Sequence, residues 1–259
     1  MDESSEQSVA DSLEAKPELL PHMPYLLQDL WALGSSVDQI SELVSGLKLT
    51  PGGSGILDLG CGKGAVGIRI AAGSGLKITG VDLMEDFLQE AIKKAEFYGV
   101  TNLCTFILKD IHDYIKIPHQ FEVVVLASLG HILGTIDETV LKLRSQIKPG
   151  GFMIIDDGFL KVKNRLNRYG YEHCRNHRES IRSLIKHGDR LLAEIDTTSV
   201  NMEINRFYLE KLTQRGRELI RMNPELQTDI EEYLALQREE CEILETEIQG
   251  ALWLIRKKL

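Results

Sequence analysis

The chain has 259 residues, 43% of them hydrophobic and 27% charged, with a formal net charge of −9. That length is enough for one large α/β domain with a substantial core, and no apolar run is long enough to cross a bilayer. The acidic balance counts against nucleic acid as a partner, because such binding is driven largely by neutralising phosphates.

The chain opens on Met1-Asp2-Glu3-Ser4-Ser5-Glu6, which is acidic and polar, unlike a secretory signal or a basic transit peptide. Residues 1–17 therefore read as a mobile acidic tail. Residues 18–50 read as a helical cap, with Leu26, Leu27, Leu30 and Leu33 at helical spacing, then Ile40, Leu43 and Leu47. Trp31 within it fits a core aromatic better than a stacking partner for a ligand. Cys61, Cys104, Cys174 and Cys241 lie far apart with no C-x-x-C spacing. They read as free thiols in a reducing cytoplasm.

Pro51-Gly52-Gly53 is a turn into an apolar strand, and the next stretch is the most informative of the chain. Ile56-Leu57-Asp58-Leu59 runs into Gly60-Cys61-Gly62-Lys63-Gly64, after which a helical pattern opens with Val66, Ile68 and Ile70. Glycines at a strand-to-helix turn let the backbone bend sharply and let a ligand approach closely. A second strand, Ile78-Thr79-Gly80-Val81, ends in Asp82, 22 positions after Gly60. A carboxylate at that distance suits ribose hydroxyls. Gly62 to Gly67 is formally a G-x-G-x-x-G dinucleotide fingerprint, but the register argues against a pyrophosphate. Asp58 would lie close to it and repel it, whereas the same carboxylate suits an ammonium group.

Further strands follow, separated by helices: a helix over Phe87-Leu88-Ala91-Ile92-Ala95, then Thr105-Phe106-Ile107-Leu108, Phe121 to Ala127, and Phe152 to Ile155 after Lys148-Pro149-Gly150-Gly151. That alternation points to a parallel sheet with helices on both faces. His177 to His187 reads as a helix and Arg190 to Ile195 as a sixth strand. About fifty residues then read as two helices, broken at Asn223-Pro224 with Asn223 as an N-cap.

Asp58-Leu59-Gly60-Cys61-Gly62-Lys63-Gly64 resembles the first motif of the class I S-adenosylmethionine-dependent methyltransferases, and Asp82 resembles their acidic residue after the second strand. Thr105 to Ile111, Phe121 to Ala127 and the Pro149-Gly150-Gly151 leader resemble later segments of the family in order, so the likeness covers roughly residues 50–160. It implies a doubly wound, Rossmann-like α/β sheet of seven strands, the last antiparallel, with Gly250 to Ile255 resembling that last strand. The catalytic domain would then be 51–199 plus 248–259, with a helical insertion at 200–247. That insertion reads as a lid, a dimer surface or packing for one flank of the sheet.

The resemblance further implies S-adenosylmethionine as cofactor, S-adenosylhomocysteine as product, and in-line transfer of a methyl group. Asp58, Gly60, Cys61 and Gly62 would hold the methionine part, Asp82 the ribose, and Leu83 and Met84 the adenine face. Asp110 and Ile111 would meet the adenine edge, and Ala127 would lie beside the methyl. Candidates for a base are Asp156 and Asp157, just past the fifth strand, and His131 after the fourth. Structural readings compete for each of the three. His173, Cys174 and His177 are too few for a convincing metal set, so no metal is expected.

After the fourth strand the chain reads Ala127-Ser128-Leu129-Gly130-His131. It lacks both the Asn/Asp-Pro-Pro-aromatic run of base amino-methyltransferases and the Pro-Cys pair of cytosine-C5 enzymes. A small-molecule acceptor is left as the leading expectation. An NAD(P)-dependent oxidoreductase and a non-catalytic cofactor-binding or partner-binding protein remain as alternatives.

Overall fold

The computed structural model describes residues 3–53, 55–162, 166, 168 and 170–259. Its centre is a seven-stranded sheet built from β1 (Ile56–Leu59), β2 (Ile78–Asp82), β3 (Cys104–Leu108), β4 (Phe121–Ala127), β5 (Ile147–Leu160), β6 (Arg190–Asp196) and β7 (Ile248–Arg256). The spatial order is β3-β2-β1-β4-β5-β7-β6. The pairings among β1 to β5 are parallel, and β7 runs antiparallel to both β5 and β6. Strand order reverses between β1 and β4, so the crevice for a ligand lies outside the carboxyl ends of those strands.

Period-two alternation divides the strand residues between two apolar layers. Val124, Leu126, Met153, Ile155, Trp253 and Ile255 face one layer, packed with α7 (Ile136–Arg144) and α8 (His177–Leu184). Val123, Val125, Ile154, Leu252 and Leu254 face the other, packed with α3 (Val37–Gly46) and α4 (Ala65–Ser74). The helix α5 (Glu85–Phe97) follows β2 directly.

A third core lies off the sheet. It joins Val9 and Ala10 of α1 (Glu3–Ser12), Leu19 and Leu20 of a 3-10 turn, Met23 and Leu26 of α2 (Met23–Leu26), Met84 and Phe87, and Leu212, Leu219, Ile230, Tyr233 and Leu234 of α9 (Thr198–Met222) and α10 (Gln227–Thr246). The apolar faces of the insertion are therefore buried against the N-terminal segment of the same chain.

Several expectations are corrected here. Residues 3–12 are a helix rather than a tail, and Val9 and Ala10 are buried among its described side chains. Their small apolar patch is too slight to show in composition, and it joins a core shared with the following 3-10 turn, α2, Met84, Phe87 and the insertion. Leu26 ends the four-residue α2, and Leu27, Leu30 and Leu33 follow in turns and loop rather than in a continuous helix, whereas Ile40 and Leu43 lie in α3 as expected. Asn223 makes no N-cap bond; its amide reaches back to the Leu219 carbonyl instead. The fifth strand continues through Asp156 and Asp157 to Leu160, since β7 pairs along that whole length.

Candidate active site

The turn after β1 is held by the neighbouring strand. The amides of Gly60 and Cys61 both donate to the Val81 carbonyl, at 2.8 and 3.1 Å. Gly60 and Gly62 adopt φ of +64° and +51°, which L side chains rarely take. A Cβ on Gly60 would lie 2.3 Å from Leu129 Cδ1, and one on Gly62 3.0 Å from Leu33 Cδ1. The turn thus leaves a bare backbone surface facing Leu33 and Leu129.

That surface borders a cavity of about 160 Å³. The ten residues expected to hold a cofactor all line it: Asp58, Gly60, Cys61, Gly62, Asp82, Leu83, Met84, Asp110, Ile111 and Ala127. Asp82 is fixed by two backbone donors, Gly62 N at 2.7 Å and Met84 N at 2.9 Å. Asp110 caps α6 (Ile111–Tyr114) by accepting from His112 N at 2.6 Å. Asp58 Oδ2 accepts from Gly67 N at 3.2 Å.

Burial pushes the Asp58 carboxyl up to about 7, opposed by the Gly67 amide and reinforced by Asp82. Asp82 is also raised by burial, with the Met84 and Gly62 amides pulling the other way. The buried Asp58 and the half-buried Asp82, on either side of the glycine turn, favour a cation, and Asp58 disfavours a pyrophosphate. The bare glycine backbone and this charge pattern fit the amino-acid and ribose parts of S-adenosylmethionine.

A second, larger cavity of about 920 Å³ adjoins the first, and Ser12, Leu13, Leu33, Ser128, Leu129 and Ile132 line both. Ser128, at the junction, has φ +55° and donates its amide to the Asp156 carbonyl. Asp156, Asp157 and His131 all line the larger space. Consecutive strand residues face opposite sides, and the two carboxylates have different surroundings. Asp156 accepts from the Ser36 amide at 2.8 Å and from its hydroxyl at 3.4 Å. Ser36 Oγ also donates to Asn201 Oδ1 at 3.2 Å, linking β5, the start of α3 and α9. Burial pushes Asp156 up to about 6, against the two Ser36 bonds.

Among the described residues, Asp157 accepts only from the adjacent Gly158 amide. Burial raises it, and a charge on His131 pulls it down. His131 Nε2 is buried and has no hydrogen-bond partner among the described residues. His173 stands edge-on to His131, with ring centroids 6.0 Å apart. It lies in the loop before α8, not on a helix face with His177, and His177 instead pairs with Glu194 at 2.9 Å.

Some wall residues were not read from the sequence. Val9, Ser12 and Leu13 cover the smaller cavity, and Thr198, Asn201, Asn205 and Tyr208 of α9 line the larger one. Trp31 borders the smaller cavity while stacking on Tyr98 at 5.2 Å and donating to the Lys63 carbonyl. Lys63, only 1% exposed, reaches the Leu27 carbonyl at 2.8 Å and Glu90 at 2.9 Å, tying the glycine turn to the cap and α5. A buried lysine in a glycine-rich turn gives no sequence signal that distinguishes it from a ligand-binding one.

Comparison with known proteins agrees with this geometry. The chain matches the family described as "Methyltransferase domain" over residues 52–223. A 27-O-demethylrifamycin SV methyltransferase of Amycolatopsis mediterranei is 24% identical over 143 residues, 54% of this chain and 51% of that protein. The chain spans about half the length of the curated relatives it matches. A SAM-dependent methyltransferase of Geobacter sulfurreducens, solved with S-adenosyl-L-homocysteine, superposes with a TM-score of 0.77 at 19% identity, covering 94% of this chain and 99% of that one. A counterpart from Thiobacillus denitrificans gives 0.75 at 20% identity, covering 91% and 98%. At that identity the two structures establish a shared fold. Together with the match over residues 52–223, they place the chain in the methyltransferase domain family.

Proposed function

We propose that this chain transfers a methyl group from S-adenosylmethionine to a small-molecule acceptor. The observation that carries the reading is the junction of two cavities at Ser128 and Leu129. One is lined by the buried Asp58 and the half-buried Asp82 at a glycine turn, and the other is large enough for a separate molecule. A dinucleotide is disfavoured, because Asp58 would lie close to its pyrophosphate.

Asp58 would take the ammonium of the cofactor and Asp82 its ribose hydroxyls, on the oxygens already oriented by Gly62 and Met84. The free oxygen of Asp110 and the Ile111 amide would meet the adenine edge, with Leu83, Met84 and Phe87 against its face. When bound, the sulfonium supplies an already activated methyl, so the protein mainly positions the acceptor and excludes water. Exclusion would fall to α1 above the smaller cavity and α9 and α10 around the larger one. Of the two carboxylates, Asp157 beside His131 is the pair suited to removing a proton, while Asp156 holds Ser36. Four unpaired cysteines fit a reducing, cytoplasmic setting.

The test is incubation with methyl-labelled S-adenosylmethionine and a small-metabolite extract. The reading requires label on a small molecule with an equal yield of S-adenosylhomocysteine. Label on protein or nucleic acid alone would contradict it.

A further inference from the structure

The wall that α9 contributes to the larger cavity is chemically unusual. Thr198, Asn201, Asn205 and Tyr208 face the space together with the apolar Ile204, and beyond Tyr208 the buried residues of the helix include Leu212 and Leu219. Burying amides and hydroxyls is unfavourable unless each finds a partner. Asn201 does, with Ser36 and Thr197, and Tyr208 does, with Gln237 at 2.8 Å. Asn205 does not. It is 9% exposed, and its side-chain amide nitrogen has no partner among the described residues. Elsewhere around the same cavity, His131 Nε2 is likewise buried without a hydrogen-bond partner among the described residues.

The charges of the wall are one-sided. Asp11, Glu14, Asp156, Asp157, Glu172 and Glu240 line it, and none of its described lining residues is Lys or Arg. Arg168 pairs with Glu14 and Glu240, and Ser36 satisfies Asp156. Among the described residues, Asp157 accepts a hydrogen bond only from the adjacent Gly158 amide and feels the charge of His131. Such a wall repels anionic acceptors and gathers cationic ones.

We propose that the larger cavity takes a polar amine, with its nitrogen seated against Asp157 and His131 and an oxygen of the same molecule accepting from the Asn205 side-chain amide. This rests on the methyl-transfer reading above and names its acceptor class. In the reaction, His131 Nε2 takes one proton from the ammonium, and Asp157 stabilises the imidazolium that results. The freed nitrogen lone pair forms the N–CH3 bond as the C–S bond breaks, and that bond's electron pair stays on sulfur. The products are the thioether S-adenosylhomocysteine, an N-methylammonium and one proton, which His131 returns to water. Tyr171 and Tyr208 add aromatic faces that suit a methylated cation.

The test uses methyl-labelled S-adenosylmethionine and a metabolite extract split on ion exchangers into cationic, anionic and unretained fractions. Label should pass to a component of the cationic fraction, and the labelled product should itself bind the cation exchanger. Asn205→Leu should lower label transfer at subsaturating acceptor about tenfold, with cofactor affinity unchanged. Asn205→Ser, which removes the amide without adding bulk, should do the same. Label arising only from the anionic or unretained fractions would overturn the proposal, as would two Asn205 variants with parental transfer rates. Cofactor binding with no labelled product from any fraction would overturn it too, whereas failure to bind S-adenosylmethionine would instead overturn the reading on which it rests.

Discussion

Asp58 offers a sharp test of the cofactor site, because its carboxyl is pushed up to about 7 by burial. In the free protein it then holds its proton below pH 7, while an ammonium partner requires the carboxylate. Binding must therefore release a proton, and affinity must rise with pH until Asp58 ionises unaided. At pH 5 about one molecule in 100 carries the anion and at pH 7 about half, so the dissociation constant should fall roughly 50-fold between them. Above about pH 8 the cofactor's own amino group loses its proton and the profile turns over.

Calorimetry with S-adenosylmethionine in two buffers of different ionisation enthalpy measures both the affinity and the protons released. About one proton should leave at pH 6. Asp58→Asn should bind weakly with a much flatter profile, keeping only what Asp82, also raised by burial, contributes. Stability of the free protein runs the other way. A folded-state value near 7, against roughly 3.9 unfolded, means stability is lost as pH rises from about 4 through 7. Asn at position 58 should remove that decline. A flat affinity profile in the parent, or equal slopes in parent and variant, would refute the assignment of Asp58 to the ammonium.

Other outcomes follow from the same geometry. Gly60→Ala places a Cβ 2.3 Å from Leu129 Cδ1 at φ +64°; it should destabilise the fold by about 1–2 kcal/mol and weaken cofactor binding, read by thermal melts and calorimetry. Asp157→Asn should leave fold and cofactor affinity intact while lowering the transfer rate by roughly 10²–10⁴-fold. Asp156→Ala should act on stability instead, by about 1–3 kcal/mol, because it leaves the buried Ser36 amide without its partner; equal rate losses in both variants would refute the division of roles. Hydrogen exchange in α1, α9 and α10 should slow when cofactor and acceptor are bound, and unchanged exchange would leave these helices as packing elements.

The sheet and the cofactor turn were legible because their signals are local. The β1 residues Ile56 to Leu59 are buried and run straight into glycines whose positive φ no other residue takes easily. Asp82 could be placed for the same reason, at the end of an apolar strand. What escaped depended on distant partners. Val9 and Ala10 are buried in a core that also draws on Met84, Phe87 and, some 200 residues later, α9 and α10. Asp156 and Asp157 look like residues past a strand end, but pairing with Leu252 and Ala251 of β7, and of Asp156 with Ala127 of β4, keeps them in the ladder. The polar stripe of α9 reads as a solvated face by periodicity, since nothing local distinguishes a cavity from bulk water.

The central claim is most directly tested by titrating the purified protein with S-adenosylmethionine, S-adenosylhomocysteine and NAD, alongside Asp82→Ala. The account predicts binding of the first two and none of NAD. Losing two charge-assisted hydrogen bonds to the ribose, at about 1.5–3 kcal/mol each, should weaken Asp82→Ala by roughly 10²–10⁴-fold. Its unfolding should stay cooperative, though less stable, because Gly62 and Met84 lose an acceptor. Binding of NAD alone, or a folded Asp82→Ala with parental affinity for S-adenosylmethionine, would contradict it.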